Sequence, residues 1–462
     1  MNSSKIQFYN SLSKGKEVFE PIKAGEVKMY TCGPTVYNYA HIGNLRSYIF
    51  ADVLRRALLY SGYKVKQVMN ITDIGHLSSD ADSGEDKMTK GLLREGKELN
   101  LKNMRELAEF YTEKFLEDLK KLNVLPPEGP YFASDYVKED IELIEKLQEK
   151  GFTYKTSDGV YFDVSKMPEY GVLWGGIKDT EERKSRIGEN PEKKNPEDFA
   201  LWKFNSSLGY ESPWGTGFPG WHIECSAMGI KFLGEQFDIH TGGIDHIPTH
   251  HTNEIAQSES ATGKKPFVKF WMHHEHVDIG SSKMAKSGEN FLTLNTVIEK
   301  NINPITYRFW LLMASYRTKV NFNWDALEGA ETALNRLFGL YRSLGNDVGQ
   351  IDENYQAKFM RFIQDDLDTA KALTLMWDLV RDEAISAPDK KATLLDFDKV
   401  FGLGFADLKE ETIPAEVIEL VKAREEARNN KDFKLSDELR QEINSLGYEV
   451  KDSASGQKVS KI

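Results

Sequence analysis

The 462-residue sequence predicts an α/β protein built on a parallel sheet, interrupted by an insertion and followed by a helical bundle and a small terminal module. Three observations carry that expectation. The run Glu26 to Cys32 (EVKMYTC) is short, apolar and stopped by Gly33-Pro34, as a buried strand would be. From Leu45 apolar residues recur at Ile49, Val53, Leu54 and Leu58, which is helical spacing closed by Ser61-Gly62. Lys64 to Thr72 (KVKQVMNIT) then reads as a second strand. Strand, helix and strand in succession make a βαβ unit, so the two strands run parallel. Ligands of such sheets sit beyond the carboxyl ends of the strands, where Cys32, His41 and Thr72 all fall.

Further along, Asn103 to Glu149 reads as helical, with amphipathic runs at Met104–Leu122 and Tyr136–Leu147. Between Tyr154 and Trp202 short strand-like pieces alternate with Gly, Pro and charged turns, the look of an insertion. The sheet domain resumes with Cys225–Leu233 and a strand at Gln236–His240. After Phe291 the pattern is helical almost to the end, through Tyr307–Tyr316 and Ala326–Tyr341, with a loop at Asn346–Glu353 and a linker at Gly402–Pro414. Val417 to Ile462 holds two charged helices (Val417–Asn429 and Leu435–Leu446) before Gly447 to Val450. The expected divisions are therefore 1–120 and 223–300 for the two halves of the sheet domain, 121–222 for the insertion, 301–410 for the bundle and 411–462 for the terminal module.

Composition narrows the class. Hydrophobic residues make up 40% and charged residues 29%, ordinary values for a globular chain. The N-terminus lacks the apolar core of a secretory signal, and no apolar stretch is long enough to span a membrane, so a cytoplasmic protein is expected. The net charge of -12 argues against wholesale binding of nucleic acid but leaves room for a local basic groove. Two cysteines nearly two hundred residues apart, Cys32 and Cys225, are more simply buried thiols than a disulfide.

Three constellations carry chemistry. His41-Ile42-Gly43-Asn44 opens a helix, so free N–H groups, the positive dipole end and two polar side chains can face a phosphate, while Gly43 lets a ligand approach the backbone. A capped helix start explains the same residues. Lys283-Met284-Ala285-Lys286-Ser287, between small residues, can bring two ammonium groups onto polyphosphate, or be a solvated loop. Seven of the ten histidines lie between His240 and His276, and His250 and Glu254 are one helical turn apart. Imidazole and carboxylate both bind zinc, and two thiols would complete a four-ligand site; a polar helix pair is the plainer reading.

Taken together these residues resemble the class I aminoacyl-tRNA synthetases, specifically the cysteinyl-tRNA synthetase family. Beside the two signatures, the resemblance rests on Tyr30 to Tyr37, Asn70 to Asp73, Pro219 to Met228 (PGWHIECSAM), Asp238 to Asp245 (DIHTGGID), and Asn253 to Gln257. The tail adds Arg428, Asp432, Asp437, Arg440 and Leu446-Gly447. It covers nearly the whole chain and implies a Rossmann-like catalytic domain with an inserted connective segment.

The resemblance implies further that Cys32, Cys225, His250 and Glu254 hold one Zn²⁺ that takes the thiolate of substrate cysteine. Gly33, Thr72, Trp221 and Asp245 would line the cysteine site; His41, Gly43, Asn44, Gly242, Gly243 and Lys286 would bind ATP, which comes with Mg²⁺. His41, Asn44, Lys283 and Lys286 would serve catalysis. The implied partners are ATP, L-cysteine and tRNA-Cys, with no membrane and a monomeric state. Serine lacks the thiolate, and a contact the wrong substrate cannot make gives about 10⁴-fold rejection or better, so no editing domain is expected. Lys87 and Lys90 resemble lysines that some members use with pyridoxal phosphate to make cysteine persulfide. The sequence departs from the family pattern at Asn44, Ala285, Phe218 and Thr252, and over Ile74 to Glu85. Two other readings compete: a ligase joining cysteine to an amino sugar, and a non-catalytic tRNA-binding paralogue. The long helical region and the tail argue against the first; the presence of every signature residue argues against the second.

Overall fold

Residues Glu26–Thr31, Lys64–Ile71, Glu128–Phe132, Phe237–Gly243 and Val268–His274 form one five-stranded sheet in the computed structural model. The structure describes residues 5–75, 86–175, 190–279, 282–283 (in backbone), 291–408, 414–453 and 456–461. All neighbouring strands of the sheet are parallel. Parallel strands covered on both faces are buried throughout, and Phe237–Gly243 is buried at all seven positions. The chain starts on Glu26–Thr31, steps outward to Lys64–Ile71 and Glu128–Phe132, then returns to pair Phe237–Gly243 with the free edge of the first strand, Ile239 opposite Met29. The order therefore reverses between Glu26–Thr31 and Phe237–Gly243, and a crevice opens at the carboxyl ends of those two strands.

Helix Ile42–Tyr60 crosses from the first strand to the second, burying Leu45, Ile49, Val53, Leu54 and Leu58 as the spacing predicts. Leu101–Lys121 and Val137–Glu149 are two amphipathic helices, one before and one after the third strand of the chain's path through the sheet. The strand Glu128–Phe132 between them lies inside the stretch 121–222 expected as an insertion, yet it pairs in the parallel sheet. The inserted layer itself is an antiparallel sheet of Thr153–Lys155, Gly159–Phe162, Phe199–Phe204 and Gly217–Pro219, in that order.

Beyond the sheet, Val277–Ile279 lies between Ser282–Lys283 and Val320–Phe322 in a small sheet, the last strand of which falls in the stretch after Phe291 read as helical. The bundle follows with Trp324–Ser343, Glu353–Gln364, Thr369–Arg381 and Ala387–Phe401. Ala415–Asn429, Phe433–Ser445 and the hairpin Tyr448–Ser453/Gly456–Lys461 close on a separate small core of Val417, Ile443 and Val450. An N-terminal hairpin, Gln7–Asn10 with Gly15–Val18, was not legible in the sequence. Among the described residues no helix is long and apolar enough to cross a membrane.

Candidate functional site

The crevice at the strand reversal is a cavity of about 750 Å³. Cys32 and Gly33 reach it from the end of the first strand, Thr72 from the end of the second, and Gly242, Gly243 and Asp245 from the end of Phe237–Gly243. His41, Gly43 and Asn44 line it from the start of helix Ile42–Tyr60. Trp221 and Cys225 come from helix Trp221–Leu233, and His250 from helix His250–Thr262. Three strand ends and three helices thus converge on one space. Glu254 lies beneath it, fully buried. Lys283 is described in backbone only, paired with Asp278, and Lys286 lies outside the described residues.

At the floor of the cavity one ligand atom each of Cys32, Cys225, His250 and Glu254 lies within 4.8 Å of the others, and all four residues are buried. The arrangement is that of donors facing a common point. His250 Nε2 and Glu254 Oε1 are 3.1 Å apart, yet neither makes an aligned hydrogen bond. Burial opposes ionisation of Cys32, but the hydrogen bond from Cys225 and the nearby His240 and His250 hold it well below the usual thiol range. Burial, together with the hydrogen bond and charge of Cys32, pushes Cys225 well above it. Two thiols in conflict, with His250 Nε2 and Glu254 Oε1 lacking aligned partners, fit a divalent metal of borderline softness, which would relieve both the orphaned atoms and the thiol conflict. A second group, Cys32, His240, His251 and Glu254, meets the same distance test.

His240 and His251 escaped the sequence reading, although the crowding of histidines was its signal. His240 Nε2 lies 3.0 Å from Glu254 Oε2, so it orients the carboxylate from behind. His251 Nε2 is 3.5 Å from Cys32 Sγ, and its other nitrogen is 2.7 Å from His273 Nε2, which leads on to Ser11 Oγ at 2.7 Å. Burial lowers the basicity of His251 and His273 well below the ordinary histidine range. The Trp221 ring stacks on His250 at 4.2 Å between centroids and walls the quartet.

Above the quartet, the Gly33 N–H donates to Asn70 Oδ1 (2.8 Å), Asn70 Nδ2 donates to Thr72 Oγ1 (3.2 Å), and the Thr72 hydroxyl donates to Glu224 Oε1 (2.7 Å). With its proton committed to Glu224, the Thr72 oxygen faces the cavity as an acceptor, suited to an ammonium group. Glu224 is a third residue that sequence reasoning missed. It lies within the Pro219–Met228 run, but its role is not legible there, since it meets Thr72 only through tertiary packing. The glycines are needed by crowding. A Cβ on Gly33 would stand 1.6 Å from the Asn70 carbonyl oxygen, one on Gly242 2.6 Å from His251, and one on Gly243 2.3 Å from Asp245 Oδ1.

At the upper wall, His41 caps its helix. Its Nδ1 accepts from the Asn44 N–H at 3.0 Å while Asn44 Oδ1 accepts from the His41 N–H at 3.4 Å. The reading as a capped helix start therefore holds, and the same capping residues line the cavity. His274, also lining the cavity, is driven by burial down to about 3 and stays neutral, 2.6 Å from Ser47 Oγ. Lys87 and Lys90 line the opposite wall, with the Lys87 ammonium 5.8 Å from the centre of the Trp221 ring.

Known proteins share this architecture. The family described as tRNA synthetases class I (C) catalytic domain matches residues 18–332, and the cysteinyl-tRNA ligase anticodon binding domain matches 410–459. Cysteine–tRNA ligase 1 of Burkholderia lata is 43% identical over 98% of this chain and 96% of its own length. The cysteine–tRNA ligases of Treponema denticola (41%; 97% and 98%) and Caldicellulosiruptor saccharolyticus (40%; 99% and 100%) are similar. A methionyl-tRNA synthetase of Mycobacterium tuberculosis, solved with methionyl-adenylate, superposes with a TM-score of 0.55 at 14% identity, covering 82% of this chain and 90% of that one, a likeness of fold alone. On these matches, which run almost end to end, the chain belongs to the cysteinyl-tRNA ligase family of class I aminoacyl-tRNA synthetases.

Proposed function

We propose that the chain activates L-cysteine with ATP to cysteinyl-adenylate, releasing pyrophosphate, and transfers the cysteinyl group to the 3′ end of tRNA-Cys. The observation that carries this reading is the buried quartet of Cys32, Cys225, His250 and Glu254 at the floor of the nucleotide crevice. Zn²⁺ is the metal these donors suit, and when bound it would give the substrate thiolate a soft partner that serine lacks. Thr72 and Asp245 receive the ammonium group of cysteine, Gly33 leaves room for its backbone, and Trp221 closes the side of the pocket. Gly242 and Gly243 let the adenosine lie against the strand end, with Gly43 opposite.

The cysteine carboxylate is the nucleophile, so the protein contributes alignment and charge stabilisation. His41 and Asn44 steady the phosphorus centre; Lys283 and Lys286 neutralise the departing pyrophosphate, which carries Mg²⁺. Residues 1–120 and 223–300, with the strand Glu128–Phe132, form the catalytic domain, the rest of 121–222 the connective segment, 301–410 a tRNA-binding bundle and 411–462 the anticodon module, in a cytoplasmic monomer.

The test is cysteine-dependent exchange of pyrophosphate into ATP, followed by charging of tRNA-Cys. Exchange is expected with cysteine and about 10⁴-fold less with serine. Cys225→Ser is expected to lose bound zinc, read by metal analysis, together with exchange. Exchange that persists in the zinc-free protein would overturn the metal's role in selection. Exchange without tRNA charging, accompanied by transfer of cysteine to an amino sugar, would favour the amino-sugar ligase instead.

A further inference from the structure

Away from the nucleotide crevice, the bundle helices Trp324–Ser343 and Thr369–Arg381 flank an open groove of about 430 Å³. Gly329, Ala333 and Arg336 lie at i, i+4 and i+7 on one wall; Trp377 and Arg381 lie one turn apart on the other. A Cβ added at Gly329 would meet no atom within 4 Å, so that wall is open. Trp377 is half-buried, and the exposed guanidinium groups of Arg336 and Arg381 sit 5.9 and 5.7 Å from its ring centre. Among the described residues neither arginine has an ion-pair partner, and the single carboxylate at the groove, Asp378, leaves it net positive on a chain whose total charge is -12. Two guanidinium groups flanking one indole is a local reversal of sign built around an aromatic face.

We propose that this groove is a docking point for the tRNA, with Arg336 and Arg381 on neighbouring backbone phosphates and an unstacked loop nucleotide laid against Trp377. The proposal rests on the tRNA-charging reading above. Phosphates meet the charge, and a base or ribose meets the indole, as single-stranded nucleic acid does on other proteins. An acidic peptide would satisfy the arginines but leave the ring without a planar partner. The residues lie on two packed helices and not on a loop, so the spacing of the two cations is set before binding.

The experiment compares Arg336→Ala/Arg381→Ala and Trp377→Leu with the unaltered full chain. Trp377→Leu keeps apolar bulk and removes the π face. Cysteine-dependent pyrophosphate exchange should stay within twofold in both variants, showing an intact fold and crevice. The double arginine variant should raise the KM for tRNA about tenfold, and the slope of log KM against log salt should fall by about 1.4 for two lost phosphate contacts. Trp377→Leu should raise the KM for tRNA several-fold with the salt slope unchanged, because it removes stacking and no charge. An unchanged tRNA KM and salt slope in both variants would overturn the proposal and leave a protein as the groove's occupant. Failure of the unaltered chain to catalyse cysteine-dependent exchange would instead sink the tRNA-charging reading, a distinguishable result.

Discussion

His41 serves two ends that one substitution can separate. Its Nδ1 holds the Asn44 N–H in the capping box, and its ring edge belongs to the wall where the reacting phosphorus would lie. Asparagine caps helices as well as any residue, so His41→Asn should leave the melting temperature within about 2 °C while exchange kcat falls about 10²-fold, the usual loss of one positioned donor. Thermal unfolding and exchange kinetics on the same sample check this, and a parallel loss of stability would mean that the cap, not the imidazole, was the essential feature. The departure at Asn44 also becomes intelligible at this scale. Its amide oxygen accepts from the His41 N–H, so the residue contributes to the shape of the turn as well as facing the cavity.

Helix Ile42–Tyr60 is tied to the small sheet that carries the lysine loop by one side chain. Arg46, 3% exposed, donates from Nη1 to the His276 carbonyl (2.7 Å) and from Nη2 to those of Tyr316 (3.0 Å) and Thr318 (2.7 Å). Val277–Ile279 begins directly after His276 and Val320–Phe322 two residues after Thr318, and Ser282–Lys283 pairs with the former strand. The guanidinium thus couples the start of the cavity-lining helix to the small sheet that contains Ser282–Lys283. Glutamine is too short and has too few donors to replace it. Arg46→Gln should cost about 2–4 kcal/mol through carbonyls left without a partner. Hydrogen exchange should then lose protection over 276–279 and 318–322 before the central sheet, and uniform loss across both would refute this local coupling. Sequence periodicity revealed the helix but not this role, because the arginine's partners lie more than two hundred positions away.

Across the whole molecule the sheet domain and the bundle meet on a buried ion pair. Asp52 Oδ2 accepts from Arg308 Nη2 at 2.5 Å and from Arg56 Nε at 2.8 Å, while Oδ1 takes the Leu125 N–H. Arg308, with no exposed side-chain surface, also donates to the Phe401 and Leu122 carbonyls. Burial lowers the Arg308 pKa and Asp52 opposes that shift, so the pair is a unit. Asp52→Asn should destabilise by about 3–5 kcal/mol, because it leaves a guanidinium buried without its countercharge. Denaturant unfolding should show this, and Asp52→Asn/Arg308→Met should recover part of the loss. An additive double variant would mean the two residues act independently.

The sequence by itself determined the helix Ile42–Tyr60, the two strands beside it and the parallel sense of their pairing, because local periodicity and turn residues encode those directly. It also supplied the motifs His41–Asn44 and Lys283–Ser287. Periodicity could not assign Glu128–Phe132 to the parallel sheet, since a short strand inside a helical and loop-rich stretch carries too little pattern, nor could it find the N-terminal hairpin. The quartet Cys32, Cys225, His250 and Glu254 came from resemblance, and its geometry from the fold. Only the reversal of strand order brings the end of Glu26–Thr31 beside two helices from the second half of the domain, so residues more than two hundred positions apart share one point. His240, His251 and Glu224 were decided by tertiary structure alone, because a supporting residue is defined by what it touches and not by its neighbours in the chain.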